Sequence, residues 1–146
     1  MYEHILVPTD GSTGSTAAAE LAIDLARQYD ATIHALFVVD TTSLPADVTA
    51  TYVDEALEGV GEDATAAVVE RAAEAGVETA PPEIAYGAPH REILEYADEH
   101  DVDLIAMGTR GRRGLDRLLI GSVAEKVVRL STVPVLTTHA PEDSTD

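Results

Sequence analysis

The stretch Leu104-Ile105-Ala106-Met107-Gly108-Thr109-Arg110-Gly111, followed after nine residues by Gly121-Ser122, decides the fold of this chain. Its first four residues are a short apolar run of the kind that parallel sheets bury on both faces. The glycines let the backbone approach a ligand closely, and a helix that opens at Ser122 offers free N–H groups and the positive end of its dipole. The stretch therefore predicts a buried strand, a phosphate-binding loop and a helix.

Apolar runs and helical stripes alternate on the N-terminal side of this stretch. The residues predict strands at 4–8, 32–39, 77–86, 104–107 and 133–136, and helices after Ser12 or Thr13, at about 48–75 with a break allowed at Gly59 or Gly61, from Pro89, and at 122–130. Because proline donates no ladder hydrogen bond, Pro81-Pro82 favours an edge position or a bulge for strand 77–86. The alternation predicts a mostly parallel sheet with right-handed crossovers, whose ligands lie beyond the carboxyl ends of the strands.

The composition limits the function classes. No cysteine is present, which excludes disulfides and thiolate chemistry. No apolar run approaches the ~18 residues of a membrane span. Residues 1–10 are typical of a strand and not of a signal peptide, so a cytoplasmic location is expected. The 27 acidic and 9 basic residues give a net charge of −18, which argues against binding bare nucleic acid and favours an acidic surface adapted to high salt.

The few basic residues are concentrated around the glycine stretch. Six of the nine lie between positions 110 and 129: Arg110, Arg112, Arg113, Arg117, Lys126 and Arg129. A basic segment on an acidic protein would attract a polyanion such as a triphosphate. The alternative is that these side chains balance nearby acids.

The chain resembles the universal stress protein family, and the resemblance covers nearly all of it. His4-Ile5-Leu6-Val7-Pro8-Thr9-Asp10-Gly11-Ser12 is similar to that family's first strand and turn, and Val38-Val39-Asp40 and Gly87-Ala88-Pro89 are similar to two later segments. The Gly-x-x-Gly-x9-Gly-Ser run matches the signature of its ATP-binding branch, here in an acidic, haloarchaeal-like sequence. The resemblance implies a doubly wound five-stranded sheet of order 3-2-1-4-5, the adenine nucleotide alpha hydrolase-like fold. It implies one domain over residues 1–140, followed by a polar tail at 141–146.

The resemblance also implies a binding site for ATP or another adenine nucleotide. It assigns the ribose and phosphate side to the turn after the first strand, the adenine edge to a strand backbone, and the phosphates to the second half of the glycine run. A Mg²⁺ or Mn²⁺ ion would accompany the triphosphate. The arginines are added because of their charge. The expected site residues are Pro8, Thr9, Asp10, Val38, Met107, Gly108, Arg110, Gly111, Arg112, Gly121, Ser122 and Val123. The family commonly dimerises through its last strand, here Val133 to Thr137.

Some of these residues have a structural alternative. Ser122 and Glu125 form a Ser-x-x-Glu pattern, which predicts a capping box, although the adjacent glycines favour a ligand role for Ser122. Asp10 is equally suited to be a helix cap or a site residue. The five histidines show no metal-ligand spacing and are interpreted as surface or hydrogen-bonded core residues. No catalytic residue and no protein-bound metal are expected.

Three functions remain open from the sequence. The first is a stress-response module whose state depends on ATP occupancy and that acts on an unidentified protein partner. The second is a slow ATPase or self-phosphorylating protein, with Ser12, Ser15, Thr109 and Ser122 as acceptors. The third is an interaction protein that keeps the fold without the nucleotide. Gly111→Val would abolish nucleotide binding under the first two and leave the third unaffected.

Overall fold

Five strands and four helices alternate in the part of the chain that the structure describes. The computed structural model describes residues 2–42, 50–109 and 121–139. The elements are β1 His4–Pro8, α1 Thr13–Tyr29, β2 Thr32–Asp40, α2 Ala50–Glu74, β3 Glu83–Gly87, α3 Pro89–Glu99, β4 Leu104–Gly108, α4 Ser122–Leu130 and β5 Val135–Thr138. Within the described residues the order of elements agrees with the sequence prediction.

The strands form one parallel sheet of order β3-β2-β1-β4-β5. The predicted fold class is confirmed. The register of β1 against β2 runs from His4 opposite Thr32 to Pro8 opposite Leu36. The central position of β1 follows from its sequence, since Ile5, Leu6 and Val7 are fully buried.

Two hydrophobic layers flank the sheet, because successive strand residues point to opposite faces. Ile5, Val7 and Ile33 pack against the alanine-rich face of α1 and against α2. Leu6, Leu36 and Ile105 pack with residues of α3 and α4 on the other face. Helices therefore cover both faces. Among the described helices, none combines the length and apolarity that spanning a bilayer would require.

α2 continues through both glycines at which a break was allowed. Gly61 lies under the ring of Phe37, and a Cβ atom at this position would be 2.5 Å from Phe37 Cδ2. The missing side chain therefore lets the helix pack closely on β2, and this contact compensates for the low helix propensity of glycine.

Two strand bounds differ from the sequence prediction because of prolines. β5 begins at Val135 and not at Val133, since Pro134 offers only its carbonyl, which accepts from the Ile105 N–H at 3.0 Å. The third predicted strand is divided: an isolated bridge joins Ile33 to Thr79, and β3 starts after Pro81-Pro82. The predicted edge position of this strand is confirmed.

Candidate functional site

The order of strands reverses between β1 and β4. From β1 the chain continues toward β2 and β3, whereas from β4 it continues toward β5. The helix that follows β1 lies on one face and the helix that follows β4 on the other. Open α/β sheets bind ligands in the crevice at such a point, outside the carboxyl ends of the strands.

The turn after β1 is held by a network of short polar side chains. The Thr9 N–H donates to Leu36 O at 2.9 Å. Asp10 Oδ1 accepts from the Ser12 N–H at 2.9 Å and from Ser15 Oγ at 3.2 Å, and Thr9 Oγ1 donates to Ser15 Oγ at 3.2 Å. Gly11 has φ 81°, a conformation that favours glycine. The Asp10 carboxylate is thus fixed beside the start of α1.

Ser12, and not Asp10 or Thr13, caps α1. The Ser12 side chain accepts from the Ser15 N–H at 3.3 Å. Asp10 lies two residues earlier and orients the cap through the Ser12 N–H. Asp10 had two possible roles, and one of them, that of helix cap, is therefore taken by Ser12.

The end of β4 and the start of α4 are joined directly. The Gly121 N–H donates to Thr109 O at 2.5 Å, and the Thr109 N–H donates to Thr138 O at 2.8 Å. The backbone thus returns at Gly121 to the point at which it left the sheet at Thr109. This contact places the N-terminus of α4 at the carboxyl end of β4.

The predicted capping box is wrong. Gly121 is the N-cap residue of α4, Ser122 is the first helical residue, and no side chain caps this helix among the described residues. The Glu125 carboxylate instead accepts from Arg129 Nε at 3.0 Å, one helical turn later. The first N–H groups of α4, including those of Ser122 and Val123, thus receive no capping side chain from the described residues, and a helix start of this kind suits an anion.

Gly108 packs against the first turn of α1. A Cβ atom at this position would lie 2.6 Å from the carbonyl carbon of Gly14 and 3.0 Å from Ser15 N. The Thr138 hydroxyl donates to the same Gly14 carbonyl at 3.3 Å. Glycine at 108 therefore has a structural reason, the close approach of α1 to β4, besides the ligand role that the resemblance implies.

The side chains of Val38 and Met107 belong to the same hydrophobic cluster as Val123 on α4. Val38 lies opposite Ala85 of β3. On its other side, the pairing of β2 with β1 reaches Leu36. Val38 is thus in the part of β2 that extends past the end of β1, on the α3 and α4 face of the sheet.

Nine of the twelve expected site residues lie within the described part of the chain. They occupy the end of β1 and its turn (Pro8, Thr9, Asp10), β2 (Val38), the end of β4 (Met107, Gly108) and the start of α4 (Gly121, Ser122, Val123). Arg110, Gly111 and Arg112 lie outside the described residues.

A cavity of about 340 Å³ lies between α1 and α2, beside the turn after β1. Thr9 and Gly11 form its sheet end, and Asp63 and Arg71 line its α2 side. Of the expected site residues, it shares Thr9. The cavity is on the opposite face of the sheet from Val38 and Met107, so we do not assign it to the same site.

Ser15 and Thr109 were expected from the sequence only as phosphate acceptors of a self-phosphorylating protein, and not as residues that build the site. Both are buried: Ser15 bonds Asp10, and Thr109 Oγ1 lies 3.1 Å from His139 Nδ1. The spacing Ser12-x-x-Ser15 was a usable signal for placing Ser15 beside the cap, because a cap side chain meets the residue three positions later. The second contact joins the ends of two strands and has no local signal.

Both the sequence and the fold have known relatives. The sequence model of the universal stress protein family matches residues 1–139. Universal stress protein MJ0531 of Methanocaldococcus jannaschii is 41% identical over 97% of this chain and 85% of its own length.

Two solved structures share the fold. The hypothetical protein MJ0577, also from M. jannaschii, superposes with a TM-score of 0.86 at 27% identity, over 99% of both chains. A universal stress protein in complex with cAMP gives a TM-score of 0.71 at 26% identity, over 96% of this chain and 98% of the other. Because the family model covers nearly the whole chain and a relative above 40% identity spans it, this chain belongs to the universal stress protein family.

Proposed function

We propose that this protein binds an adenine nucleotide, with ATP as the expected ligand, at the carboxyl end of the sheet, and that it acts as an occupancy-dependent stress-response module in the cytoplasm. The observation that carries the proposal is the hydrogen bond from the Gly121 N–H to Thr109 O. It brings the uncapped start of α4 to the strand end where β1 and β4 diverge, and an anion is favoured there by N–H groups and helix dipole together.

The charge distribution and the family relationship both support an adenine nucleotide as the ligand. Six of the nine basic residues lie between 110 and 129 in a chain of net charge −18, so this segment is where a phosphate would be attracted. A related universal stress protein has been solved in complex with cAMP. The adenine side would lie by the Val38 backbone and Met107, and the phosphates by Gly111, Gly121, Ser122 and Val123.

A metal ion would be held mainly through the phosphates. Among the described residues, no group of three His, Asp or Glu side chains could hold an ion. Asp10, fixed by Ser12 and Ser15, provides a hard oxygen ligand of the type that Mg²⁺ prefers. When bound, the ion would supply charge neutralisation to the triphosphate, and the protein would supply the backbone donors.

Calorimetric titration of nucleotide-stripped protein with ATP and Mg²⁺ in molar salt tests the proposal. We expect saturation near one site per chain, lost in Gly111→Val. Ser122 allows a sharper test, because proline is tolerated as the first helical residue and Gly121 has φ −56° and ψ 155°, a conformation compatible with a following proline. Ser122→Pro removes the N–H and the hydroxyl, whereas Ser122→Ala removes the hydroxyl alone.

A weaker affinity in Ser122→Pro than in Ser122→Ala, with unchanged melting in the absence of nucleotide, would support phosphate binding by the α4 N–H groups. Absence of binding for ATP, ADP, AMP and cAMP would reject the proposal and favour the nucleotide-free interaction protein. Released phosphate, or added phosphate in the intact mass, would instead support slow ATP hydrolysis or self-phosphorylation.

We also propose a homodimer through the outer edge of β5. This strand is an edge of the sheet, and an edge strand presents unpaired backbone groups to a second chain.

A further inference from the structure

Three histidines and a tyrosine meet under α3, on the α3 and α4 face of the sheet. His4 lies on β1, His34 on β2, and Tyr96 and His100 at the C-terminal end of α3. His4 Nδ1 is 3.0 Å from His34 Nε2, and His34 Nδ1 is 2.8 Å from Tyr96 Oη. The His100 ring stacks on the Tyr96 ring at a centroid distance of 3.8 Å and lies 5.8 Å from the His34 ring. We call these four residues the histidine cluster.

The hydrogen bonds of the histidine cluster limit how many protons it can hold. Both ring nitrogens of His34 are engaged, and this residue is 4% exposed. One added proton is compatible with the contacts, because a His34 cation would donate from Nε2 to His4 and from Nδ1 to Tyr96. A second proton, on His4 Nδ1, would place two N–H groups against each other across 3.0 Å and break that contact.

The surroundings oppose positive charge on His34. Burial, followed by the proximity of His4 and His100, lowers the pKa of His34 from 6.5 to about 4. Glu83 on β3 acts on Tyr96, whose pKa is raised to about 12, chiefly by burial. The Asp103 carboxylate, just before β4, accepts from the backbone N–H of His4 at 3.2 Å. His34 is therefore neutral at pH 7 while the cluster is closed.

These contacts join α3 to the two strands. Tyr96 bonds to β2 through His34, and the chain of bonds continues to His4 on β1. His100 Nδ1 lies 3.0 Å from the Tyr96 carbonyl, so the stacked pair ends the helix as one unit. The other buried residues of α3 are Ile93 and Ala97, whose side chains carry no titratable group.

We propose that the histidine cluster is a pH-sensitive contact, which fixes the C-terminal half of α3 to the sheet at neutral pH and releases it when its imidazoles take up protons. In the released state water hydrates the His34 ring, which can then be charged without the cost of burial and without an opposing N–H group on His4. Acid therefore favours release. The cluster does not include any of the expected nucleotide-binding residues, and the inference does not rest on the proposed function.

Hydrogen exchange on the intact protein between pH 7.5 and 4.5, at constant molar salt, tests this inference. Protection factors, which remove the intrinsic pH dependence of exchange, are compared for α3 and for α1, which contains no histidine. If opening lets His34 take up a proton, α3 protection falls about tenfold for each pH unit between about 6.5 and 4. Protection of α1 should stay constant over the same range.

Two variants identify the responsible group. His34→Gln keeps a polar, uncharged side chain, and we expect it to remove most of the pH dependence of α3. His90→Gln, in the first turn of α3 and outside the histidine cluster, should keep the full dependence. The inference is overturned if α3 and α1 lose protection in parallel, or if His34→Gln behaves like the wild type.

A measurement on the wild type covers the case in which His34→Gln does not fold. The imidazole ¹³Cε1 signal of His34 and the amide signals of residues 96–100 should change with the same midpoint in an NMR pH titration. Amide changes that occur while the His34 signal stays constant would contradict the inference.

Discussion

Gly108 and Gly14 approach each other so closely that a side chain at 108 has no room: its Cβ atom would lie 2.6 Å from the Gly14 carbonyl carbon. The neighbouring atoms are backbone atoms of α1, which cannot rotate away as a side chain could. The approach fixes how closely α1 lies on β4, and with it the width of the crevice in which the nucleotide is proposed to bind.

Gly108→Ala should therefore destabilise the protein. Gly108 is not among the glycines with positive φ in the described chain, so the cost is steric, about 1–3 kcal/mol for an overpacked site. Urea unfolding in molar salt measures it. The matched control is Gly59→Ala at an exposed position of α2, where nothing lies within 4 Å of the added Cβ and helix propensity predicts a gain of about 1 kcal/mol. Equal midpoints for Gly108→Ala and wild type would contradict the packing argument.

Ser12→Ala should remove the cap of α1. The Ser12 side chain accepts from the Ser15 N–H, and loss of an N-cap typically costs about 1 kcal/mol. Thr13→Ala is the control, because Thr13 is exposed and is the first helical residue. The same unfolding experiment compares the two. A larger loss in Thr13→Ala would show that the cap is assigned to the wrong residue.

Stability should fall at alkaline pH because of Tyr96. Burial raises the pKa of Tyr96 from 10.0 to about 12. Between these values the unfolded chain releases the phenolic proton and the folded chain retains it, so the contribution is complete below pH 10 and is lost as pH rises to about 12. The loss is of the order of 3 kcal/mol at most.

Tyr96→Phe should lack this alkaline loss, although it also loses the bond to His34 at every pH. Tyr29→Phe, at an exposed position, should keep it. The measured quantity is the free energy of unfolding between pH 8 and 11.5. If Tyr96→Phe shows the wild-type slope, other groups cause the alkaline loss.

Thr137→Pro should weaken the proposed dimer. The carbonyls of Pro134 and Thr138 face β4, where they accept from the N–H groups of Ile105 and Thr109. Successive residues of a strand direct their backbone groups to alternate sides, so the Thr137 N–H points to the open edge. Proline there removes an outward donor and spares the β4 ladder. Light scattering in molar salt should give a dimer for wild type and Thr137→Val, and a monomer for Thr137→Pro. A wild-type monomer at all concentrations would reject the dimer.

Low salt should destabilise the protein. The net charge is −18, and the ion pairs in the described chain are exposed pairs such as Arg71–Glu20, which contribute little. Self-repulsion therefore grows as screening is removed. We expect the melting temperature to fall steeply from molar to millimolar KCl, and sucrose not to replace the salt. A constant melting temperature would remove the interpretation of the surface as adapted to high salt.

The sequence predicted the fold well where local signals and tertiary packing agree. The bounds of β1 and α4 were predicted correctly, because an apolar run and a glycine-delimited helical stripe are local patterns. The capping box at Ser122 failed because Gly121 is the N-cap residue, so Ser122 is already the first helical residue and lies one position too late to cap the helix. The contact between His4 and His34 depends on strand register and leaves no period in the sequence.

The hydrogen bond between Gly121 and Thr109 also has an evolutionary consequence. It joins the two residues that flank the eleven-residue stretch 110–120. The position of α4 relative to the end of β4 therefore does not depend on how long that stretch is. The entropy of closing a loop grows slowly with length, by about 0.6 kcal/mol for each doubling. We therefore expect insertions between these two residues to cost the fold little stability, whatever their effect on the proposed binding site.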